Sequence, residues 1–513
     1  MIPLSEAANE IYQLILAGNI AEAQQRCRAA LDADANNQAI ELLYAKSLQF
    51  AGDEVAALRA YLKLAVTLQS AMPRAAAEFV DSVIKSLGEV FVAICSRAST
   101  DPGYRSKDAI LACYEVVIAQ LACKELLVPL DALLVFAIIL MDQREQGALM
   151  VTANTLLKKA EPTRDTQYVM FKEMTNRGIV SLPLLKLGAT QALRSLRLNR
   201  FNLLALWTLL NYAYQNQRYG LIERALARVR RQIAPQFFKY VNQYYMLRTG
   251  ARFFQQRVIP QNAGVSYLDF CPAAAKRSTV FLISCDEVYF RRAASSLVGQ
   301  LMSDGDHLSL HLNVVDPTPA TRAELAAWAR ENPSFGFSTL MSTAVPRFKA
   351  EQQNDFESLK TLYACSRFLV LPDILNHYGS TVVVLDSDQC VVGSMAEFVE
   401  QFSRRFRHDF AVTLGPRLGP GIDYYADLLA FANSLSANIY AVLLRKYIAY
   451  YLSQDYHFWT LDQVALLAVH AYMRSIGHEL KLYELDSDDL QTSSYLSHYG
   501  GADLRHQPPA AAA

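Results

Sequence analysis

Residues 381–388 read TVVVLDSD, and this segment limits the fold of the chain more than any other. Five apolar or β-branched residues in a row predict a buried β-strand, which brings Asp386 and Asp388 to its carboxyl end. The two aspartates are two positions apart, so their side chains point to the same side of an extended chain. Carboxylates this close repel each other unless a cation lies between them or one of them is protonated.

A divalent metal ion would remove this repulsion. Mn²⁺ and Mg²⁺ prefer carboxylate and diphosphate oxygens, and such an ion can neutralise the charge on a departing nucleoside diphosphate. We therefore predict that Asp386 and Asp388 hold Mn²⁺ or Mg²⁺. The chief alternative is a haloacid-dehalogenase phosphatase, in which the first aspartate of a similar motif is the nucleophile. That motif usually opens its domain and has Thr or Val where this chain has Cys390.

The first 250 residues show helical periodicity and a 34-residue repeat. Gly18 and Gly52 are 34 positions apart, and so are Ala23 and Ala57. Small residues let two antiparallel helices approach closely, with the glycine in the turn between them. This pattern resembles tetratricopeptide repeats, and a generic helical bundle is the alternative. Both interpretations predict an all-α region over 1–250, whose stacked helices would form a concave binding surface.

The pattern changes after residue 250. Residues 251–278 mix Pro, Gly, Ala and Ser without a sustained period, which predicts a linker. From 279 to 505, short β-rich runs alternate with helical segments, which predicts an α/β domain with a mainly parallel sheet. In such sheets ligands bind beyond the carboxyl ends of the strands. We predict a disordered tail over 506–513.

Several segments of this α/β region resemble glycosyltransferase family 8, the glycogenin-like and lipopolysaccharide glycosyltransferase group with the GT-A fold. The closest match is YACSRFLVLPDILNHYGSTVVVLDSDQCVVGSMAEF, in which Tyr363 and Arg367 match a Tyr-x-x-x-Arg helix that precedes the family's Asp-x-Asp. SCDEVYFRRAASSLVGQL resembles the family's opening strand and Asp-x-x-Tyr loop, with Asp286 and Tyr289 at the matching positions. The resemblance covers roughly residues 279–505, about 45% of the chain.

The resemblance implies a role for each matched residue. Asp286 and Tyr289 would line the nucleotide base, and Arg367 would stabilise the diphosphate. The nucleotide-binding set that it implies is Asp286, Tyr289, Tyr363, Arg367, Asp386, Ser387, Asp388 and Asn433. HFWTLDQVALLAVHAY resembles the family's Asp-Gln element, so Asp462 and Gln463 would face the reacting sugar. SHYGGADLR resembles its His-Phe-x-Gly segment, which makes His498 the third metal ligand.

Each match also has an explanation that needs no ligand. Asp286 and Asp462 are suited to cap the helices that follow them. Arg367 would then be a charge on a helix surface, and His498 an exposed histidine near the end of the chain.

The chain also departs from the family pattern. The family's sugar-binding segment has Asn followed two residues later by Gly, whereas Asn433 is followed by Leu435 at that place. The family's Lys-Pro-Trp after the histidine is missing, and Arg505 stands one place beyond the expected lysine, where it could contact the diphosphate. These differences indicate a remote relative.

Composition restricts the partners and the location. Lys+Arg and Asp+Glu both number 49, and a formal net charge of zero argues against nucleic-acid binding. None of the eight cysteines lies at C-x-x-C spacing, which argues against a zinc site and fits a reducing cytosolic setting. The first residues lack a secretory signal, and the longest apolar run, over 132–141, is too short for a transmembrane segment. We therefore predict a cytoplasmic protein.

Together these features predict a metal-dependent glycosyltransferase. It would move a sugar from a nucleotide sugar, a UDP-sugar by the resemblance, to the hydroxyl of a protein or glycan acceptor, and the helical repeats would hold that acceptor. The alternative is a catalytically inactive transferase-like domain on a repeat scaffold, which would act as a protein-interaction module. The sequence leaves the oligomeric state open.

Overall fold

The chain forms two compact units in a computed structural model, residues 1–212 and 213–513, so the boundary precedes the predicted linker. The residues that the structure describes are 5–71, 77–101, 104–123, 126–161, 164–177, 179, 182–199, 202–229, 243–255, 265–303, 308–342, 356–415, 419–421, 423–453, 460–485 and 492–498. Across these ranges, no helix combines the length and the apolar character needed to cross a membrane.

The first unit is helical throughout its described residues, as predicted. Its helices are α1 (Glu6–Leu16), α2 (Ile20–Ala33), α3 (Gln38–Phe50), α4 (Glu54–Ala71), α5 (Ala77–Thr100), α6 (Lys107–Ala122), α7 (Leu130–Asp142), α8 (Gln146–Lys159), α9 (Thr166–Asn176), α10 (Leu182–Leu198) and α11 (Leu203–Gln215), the last of which crosses into the second unit.

One type of turn recurs after four of these helices. Gly18 (φ 77°) follows α1 and Gly52 (φ 80°) follows α3, while Arg144 (φ 60°) follows α7 and Gln217 (φ 54°) follows α11. In each turn the left-handed residue donates its N–H to the carbonyl three positions earlier, and the next residue donates to the carbonyl five positions earlier. The turn geometry therefore continues where the sequence repeat is no longer visible. Membership of the tetratricopeptide family stays a prediction.

These turns predict a specific cost for a methyl group at Gly52. A Cβ there would meet no atom within 4 Å, so Gly52→Ala should lower the free energy of unfolding by about 1 kcal/mol through backbone strain alone. Gly147→Ala is the matched control, because Gly147 is the second residue of α8, where the backbone is helical and the surroundings are equally open; that change should stabilise by up to about 1 kcal/mol. Urea unfolding measures both, and effects of the same sign would contradict the prediction.

The second unit contains an eight-stranded sheet with helices on both faces. Its elements are α12 (Tyr219–Val229), α13 (Ala251–Phe254), β1 (Val265–Cys271), β2 (Thr279–Asp286), α14 (Glu287–Tyr289), a π-helical turn (Phe290–Ala294), α15 (Ser295–Ser303), β3 (Ser309–Val315), α16 (Pro319–Glu331), β4 (Phe335–Ser342), α17 (Phe356–Tyr378), β5 (Thr381–Leu385), β6 (Gln389–Val391), α18 (Met395–Arg405), β7 (Phe410–Leu414), β8 (Tyr424–Phe431), α19 (Leu435–Leu452), α20 (Leu461–Ser475), β9 (Leu482–Glu484), a 3₁₀ turn (Thr492–Ser494) and β10 (Leu496–His498).

The sheet order is β1-β4-β3-β2-β5-β8-β7-β9, and β6 pairs separately with β10. Strands β4, β3, β2 and β5 are parallel, whereas β1 is antiparallel to β4, and β8 is antiparallel to both β5 and β7. Strand β9 is parallel to β7, which runs in the same direction as β5, so six of the eight strands share one direction. The sheet is therefore mixed but mainly parallel, as predicted. Strand β1 also lies inside the predicted linker; most of its residues are partly or fully exposed, so it lacks the apolar run by which the buried strands were predicted.

The two faces of the central strands differ in chemistry. One face packs apolar side chains such as Phe281, Ile283 and Leu312 against α15 and α18. The other face carries a buried hydrogen-bonded chain beneath α17. In order, its members are Ser366, Ser284, Asn313, Ser338, His311 and Tyr378, joined by contacts of 2.6–3.2 Å between successive side chains. Each buried polar group thus has a partner, which makes the position of α17 over the sheet specific.

His311 in this chain should make stability depend on pH. It is fully buried, and burial, with a smaller effect of His377, lowers its pKa to about 3. In the unfolded state this histidine has an ordinary pKa near 6.5, so it binds a proton there before it does in the folded state. The free energy of unfolding therefore falls as the pH drops below about 6.5, by about 2 kcal/mol between pH 7 and pH 5. Urea unfolding at both pH values should show this loss reduced in His311→Gln. Ser338→Ala removes a hydrogen bond but no titrating group, and should keep the full loss; equal slopes in all three proteins would contradict the prediction.

Candidate active site

Acidic side chains collect at one edge of the sheet because neighbouring parallel strands end there together. Asp286 is the last residue of β2, and Asp386 follows β5, in register with β2 through the Ile283–Leu385 pair. The antiparallel strand β8 adds Asp427, whose carbonyl accepts a hydrogen bond of 2.9 Å from the Asp386 N–H. The predicted location of the site, at the carboxyl ends of the parallel strands, therefore holds a concentration of negative charge.

The two aspartates of the Asp-Ser-Asp motif leave the strand through a tight turn. Ser387 is buried, and its N–H donates to Asp386 Oδ1 over 3.1 Å. The side chain of Asp386 is 39% exposed, and Asp388 is half-buried. Four of the five residues of β5 are buried, as predicted. Because the side chain of Asp386 is partly exposed, an ion from solvent can reach its carboxylate.

Arg367 links this edge to two helices. Its side chain, on α17, is only 3% exposed; Nη2 donates to Asp462 Oδ2 over 3.0 Å, and Nη1 lies 3.4 Å from Asp386 Oδ1. The interpretation of Arg367 as a helix-surface charge is therefore wrong. Asp462 lies in the first turn of α20 after the N-cap Thr460, so it is not the cap, and its Oδ1 accepts from the Gln463 N–H over 2.9 Å.

The charges around Asp386 are not balanced. The surrounding protein limits the solvation of this carboxyl and raises its pKa to about 6, against the attraction of Arg367; Asp388 and Asp462 raise the pKa further. Arg367, although buried, keeps a raised pKa because of Asp386 and Asp462. One guanidinium thus contacts the carboxylates of Asp386 and Asp462, and Asp388 adds a third negative charge near Asp386. An additional cation would lower the electrostatic cost of keeping all three ionised.

Asp286, Tyr289 and Tyr363 are placed along the same edge. Asp286 caps the short helix α14, where the Tyr289 N–H donates to its Oδ1 over 2.8 Å, and burial raises its pKa. Burial also raises the pKa of Tyr363, and the nearby carboxylates of Asp286 and Asp316 raise it further. The capping role of Asp286 is confirmed, and the hydroxyl of Tyr363 faces two carboxylates at this edge.

Two further aspartates of this edge, Asp316 and Asp427, were not predicted from the sequence. Asp316 follows β3 with φ 50°, and its Oδ1 accepts from the Ser342 N–H over 2.8 Å. Its position directly after the apolar run of β3 could have indicated it, because ligands bind at the ends of such strands. Asp427 lies inside β8, a strand that was not predicted, so no sequence pattern placed it beside Asp386.

Asn433 is not part of this edge. Because β8 runs antiparallel to β5, its carboxyl end at Phe431 lies opposite Val382, near the start of β5. Asn433 follows that end, and its Nδ2 donates to the Gly379 carbonyl over 2.8 Å. The structure therefore corrects the prediction of a sugar-binding asparagine: this residue belongs to the opposite edge of the sheet.

The third predicted metal ligand is placed by its backbone. Strand β10 pairs with β6 so that His498 lies opposite Gln389, the residue after Asp388. The side chain of His498 lies outside the described residues, and so does Arg505. Among the side chains that are described, no three ligating groups converge into a metal site. Binding of a metal ion by Asp386, Asp388 and His498 therefore stays a prediction.

The hydrogen-bonded chain beneath α17 ends next to Arg367. Ser366 Oγ lies 2.6 Å from Ser284 Oγ on β2, and it also donates to the Tyr363 carbonyl over 2.6 Å. Arg367 is the following residue on the helix. Hydrogen bonds from the polar face of the sheet therefore fix the position and the rotation of α17 next to the contact between Arg367 and the acidic edge.

Comparisons with known proteins give partial similarities to glycosyltransferases. No protein-family model and no curated protein matches the chain. It is similar to the crystal structure of the glycosyltransferase GlyE in Streptococcus pneumoniae TIGR4 (16% identity, TM-score 0.27, 41% of this chain and 46% of that chain covered). It is also similar to the WbbM bifunctional glycosyltransferase (10%, 0.26, 43% and 48%) and to mouse xyloside xylosyltransferase 1 (14%, 0.25, 41% and 85%). The chain spans less than half the length of GlyE, and TM-scores below 0.5 assign it to no family.

The ion pair of Arg367 and Asp462 predicts a recovery of stability in a double variant. Arg367→Met should lower the free energy of unfolding by about 3–5 kcal/mol, because it leaves the buried Asp462 without its counter-charge. Adding Asp462→Asn removes that isolated charge, so the double variant should be more stable than Arg367→Met by about 1 kcal/mol or more. Urea unfolding measures all three proteins.

The matched control adds Asp373→Asn to Arg367→Met instead. Asp373 pairs with Arg445 at 2.8 Å, and its side chain is 37% exposed, so its neutralisation should recover nothing. Equal stability of Arg367→Met and the Arg367→Met/Asp462→Asn variant would contradict the buried pair.

Proposed function

We propose that the second unit transfers a sugar from a nucleotide sugar to a hydroxyl acceptor, with a divalent metal ion at Asp386 and Asp388. The observation that carries the proposal is the contact of Arg367 with Asp386 and Asp462. Sequence motifs predict these three residues from two segments, and Arg367 and Asp462 are 95 positions apart. They meet at the sheet edge where ligands bind in α/β proteins. By the family resemblance the donor is a UDP-sugar.

The residues fit Mn²⁺ or Mg²⁺ in chemistry and in charge. Asp386 and Asp388 offer hard oxygen ligands, Asp386 is partly open to solvent, and the carboxylates around Arg367 outnumber its single charge. His498 would be the third ligand, since its backbone lies opposite Gln389. When bound, the ion would neutralise charge on the departing diphosphate.

Arg367 would act in two ways. Its hydrogen bond to Asp462 and its ion pair with Asp386 hold both carboxylates in fixed positions, which is the preorganisation that catalysis by charge requires. Its own positive charge would also favour a diphosphate leaving group at this edge. Asp462 and Gln463 at the start of α20 would then face the reacting sugar.

Asp286, Tyr289 and Tyr363 would receive the nucleotide. Asp286 and Tyr289 lie at and just beyond the end of β2, the strand next to β5, and Tyr363 faces Asp286 from α17. In the overall reaction, the anomeric carbon would exchange its bond to the diphosphate oxygen for a bond to the acceptor oxygen, and the acceptor hydroxyl would release its proton.

The test measures release of UDP from a panel of UDP-sugars with Mn²⁺, and binding of UDP by calorimetry. Asp386→Asn/Asp388→Asn should lose about 100-fold or more of the turnover and the Mn²⁺-dependent binding of UDP, because the metal ligands are gone. Asp409→Asn is the matched control: Asp409 precedes β7 at the opposite edge of the sheet, where it accepts from Ser434 and Lys481, and this variant should behave as the wild type.

Two outcomes would contradict the transferase. Absence of turnover with every donor, together with unchanged UDP binding in Asp386→Asn/Asp388→Asn, would favour an inactive interaction module. Release of phosphate from simple phosphomonoesters, without binding of nucleotide sugars, would favour the phosphatase.

A further inference from the structure

A cavity lies in the second unit, separate from the acidic edge. Its volume is about 320 Å³, which is within the range of small-molecule sites. Its walls are formed by residues within 214–219, by the end of β7 and the turn after it, by the start of β8 and by the second half of α20. All of these residues belong to the second unit. None of these residues was predicted from the sequence to bind a ligand.

The floor of the cavity is a buried carboxylate that is held in place. Asp423 is only 6% exposed; it accepts a hydrogen bond from the Tyr214 hydroxyl and another, of 3.3 Å, from the Gly419 N–H. Burial and the charge of Asp423 raise the pKa of Tyr214, so this hydroxyl keeps its proton and donates it. A fixed acceptor thus lies at the bottom of the cavity.

One wall combines an aromatic ring with a neutral imidazole. His470 Nδ1 lies 2.7 Å from the Tyr424 hydroxyl. Burial, with a smaller effect of Arg474, lowers the pKa of His470 to about 4, so the ring is uncharged near pH 7. One of its two nitrogens is hydrogen-bonded to Tyr424, and the other, Nε2, can act as a donor or as an acceptor according to the tautomer. Tyr219 lies across the cavity and is half-buried.

The rim is polar and exposed. Arg474 Nη2 donates to Gln217 Oε1 over 2.9 Å, and Ser475 is exposed at the end of α20. Asp423 and Arg474 are the charged groups among the lining residues, and their charges cancel. Such a cavity favours a ligand without net charge.

We propose that this cavity binds one or two rings of a neutral saccharide. A sugar ring has apolar C–H faces and hydroxyl groups around its edge, so it needs both aromatic surface and fixed hydrogen-bond partners. Tyrosine provides an apolar ring with a polar tip, and three tyrosines line the cavity together with Asp423 and His470.

Two elements connect the saccharide cavity to the acidic edge. Tyr424 is three residues before Asp427 on β8, a distance of about 10 Å, and His470 is eight residues after Asp462 on α20, about 12 Å along the helix. Resting on the proposed transferase function, the cavity would hold the part of a glycan acceptor that lies one or two rings away from the reacting hydroxyl.

The test uses saturation-transfer NMR on the full chain with lactose, maltose, cellobiose and N-acetyllactosamine as probes. At least one disaccharide should give a signal with the wild type, and Ser475→Trp, which places a large ring at the rim, should weaken its binding at least tenfold. Ser303→Trp is the matched control, because both serines end a helix and donate to the carbonyl three positions earlier, over 2.7 Å at Ser475 and 2.8 Å at Ser303; it should bind as the wild type.

Binding of UDP with Mn²⁺ to the same proteins separates this proposal from the transferase itself. Ser475→Trp should bind UDP unchanged, which also shows that the variant is folded. No signal from any of the four disaccharides, or equal binding by wild type and Ser475→Trp, would overturn the saccharide cavity while UDP binding persists. Loss of UDP binding in Asp386→Asn/Asp388→Asn without loss of the disaccharide signal would support both sites independently.

Discussion

The second unit depends on one buried positive charge. Arg367 is almost fully removed from solvent and lies between Asp386 and Asp462. A buried guanidinium is tolerated only where carboxylates accept its hydrogen bonds, because the cost of desolvating an unpaired ion amounts to several kcal/mol. Helix α17, the end of β5 and the start of α20 must therefore meet for the unit to be stable. The same contact holds the two carboxylates in fixed positions.

The polar face of the sheet supports this arrangement. A purely apolar contact between α17 and the strands would tolerate small shifts of the helix, whereas hydrogen bonds of Ser366, Asn313 and His311 require one position. Ser366 precedes Arg367 directly, so a shift of the helix would break the polar chain and the ion pair together. The apolar face, with α15 and α18, supplies the hydrophobic burial without this specificity.

The parts of the site that could be predicted rest on local patterns. The apolar run before Asp386 predicts a buried strand, and Asp286 followed by a helix predicts a cap; both are confirmed. Strand β8 was not predicted, although its residues are largely buried, and its direction decides two outcomes. It brings Asp427 to the acidic edge and carries Asn433 to the opposite one. No local pattern contains that direction, because it depends on which strand lies beside β5.

The sequence by itself determined the helical first unit, the α/β character of the second and the strand that ends in Asp386 and Asp388, since periodicity and strand ends are local properties of the chain. The tertiary structure alone decided that Arg367 is buried rather than exposed, that it pairs with a residue 95 positions away, and that Tyr214, Asp423 and His470 line one cavity. These outcomes depend on the order and direction of the strands and on the packing of helices over them. Such contacts join distant residues, and their stability depends on the free energy of burying apolar groups and charges across the whole unit.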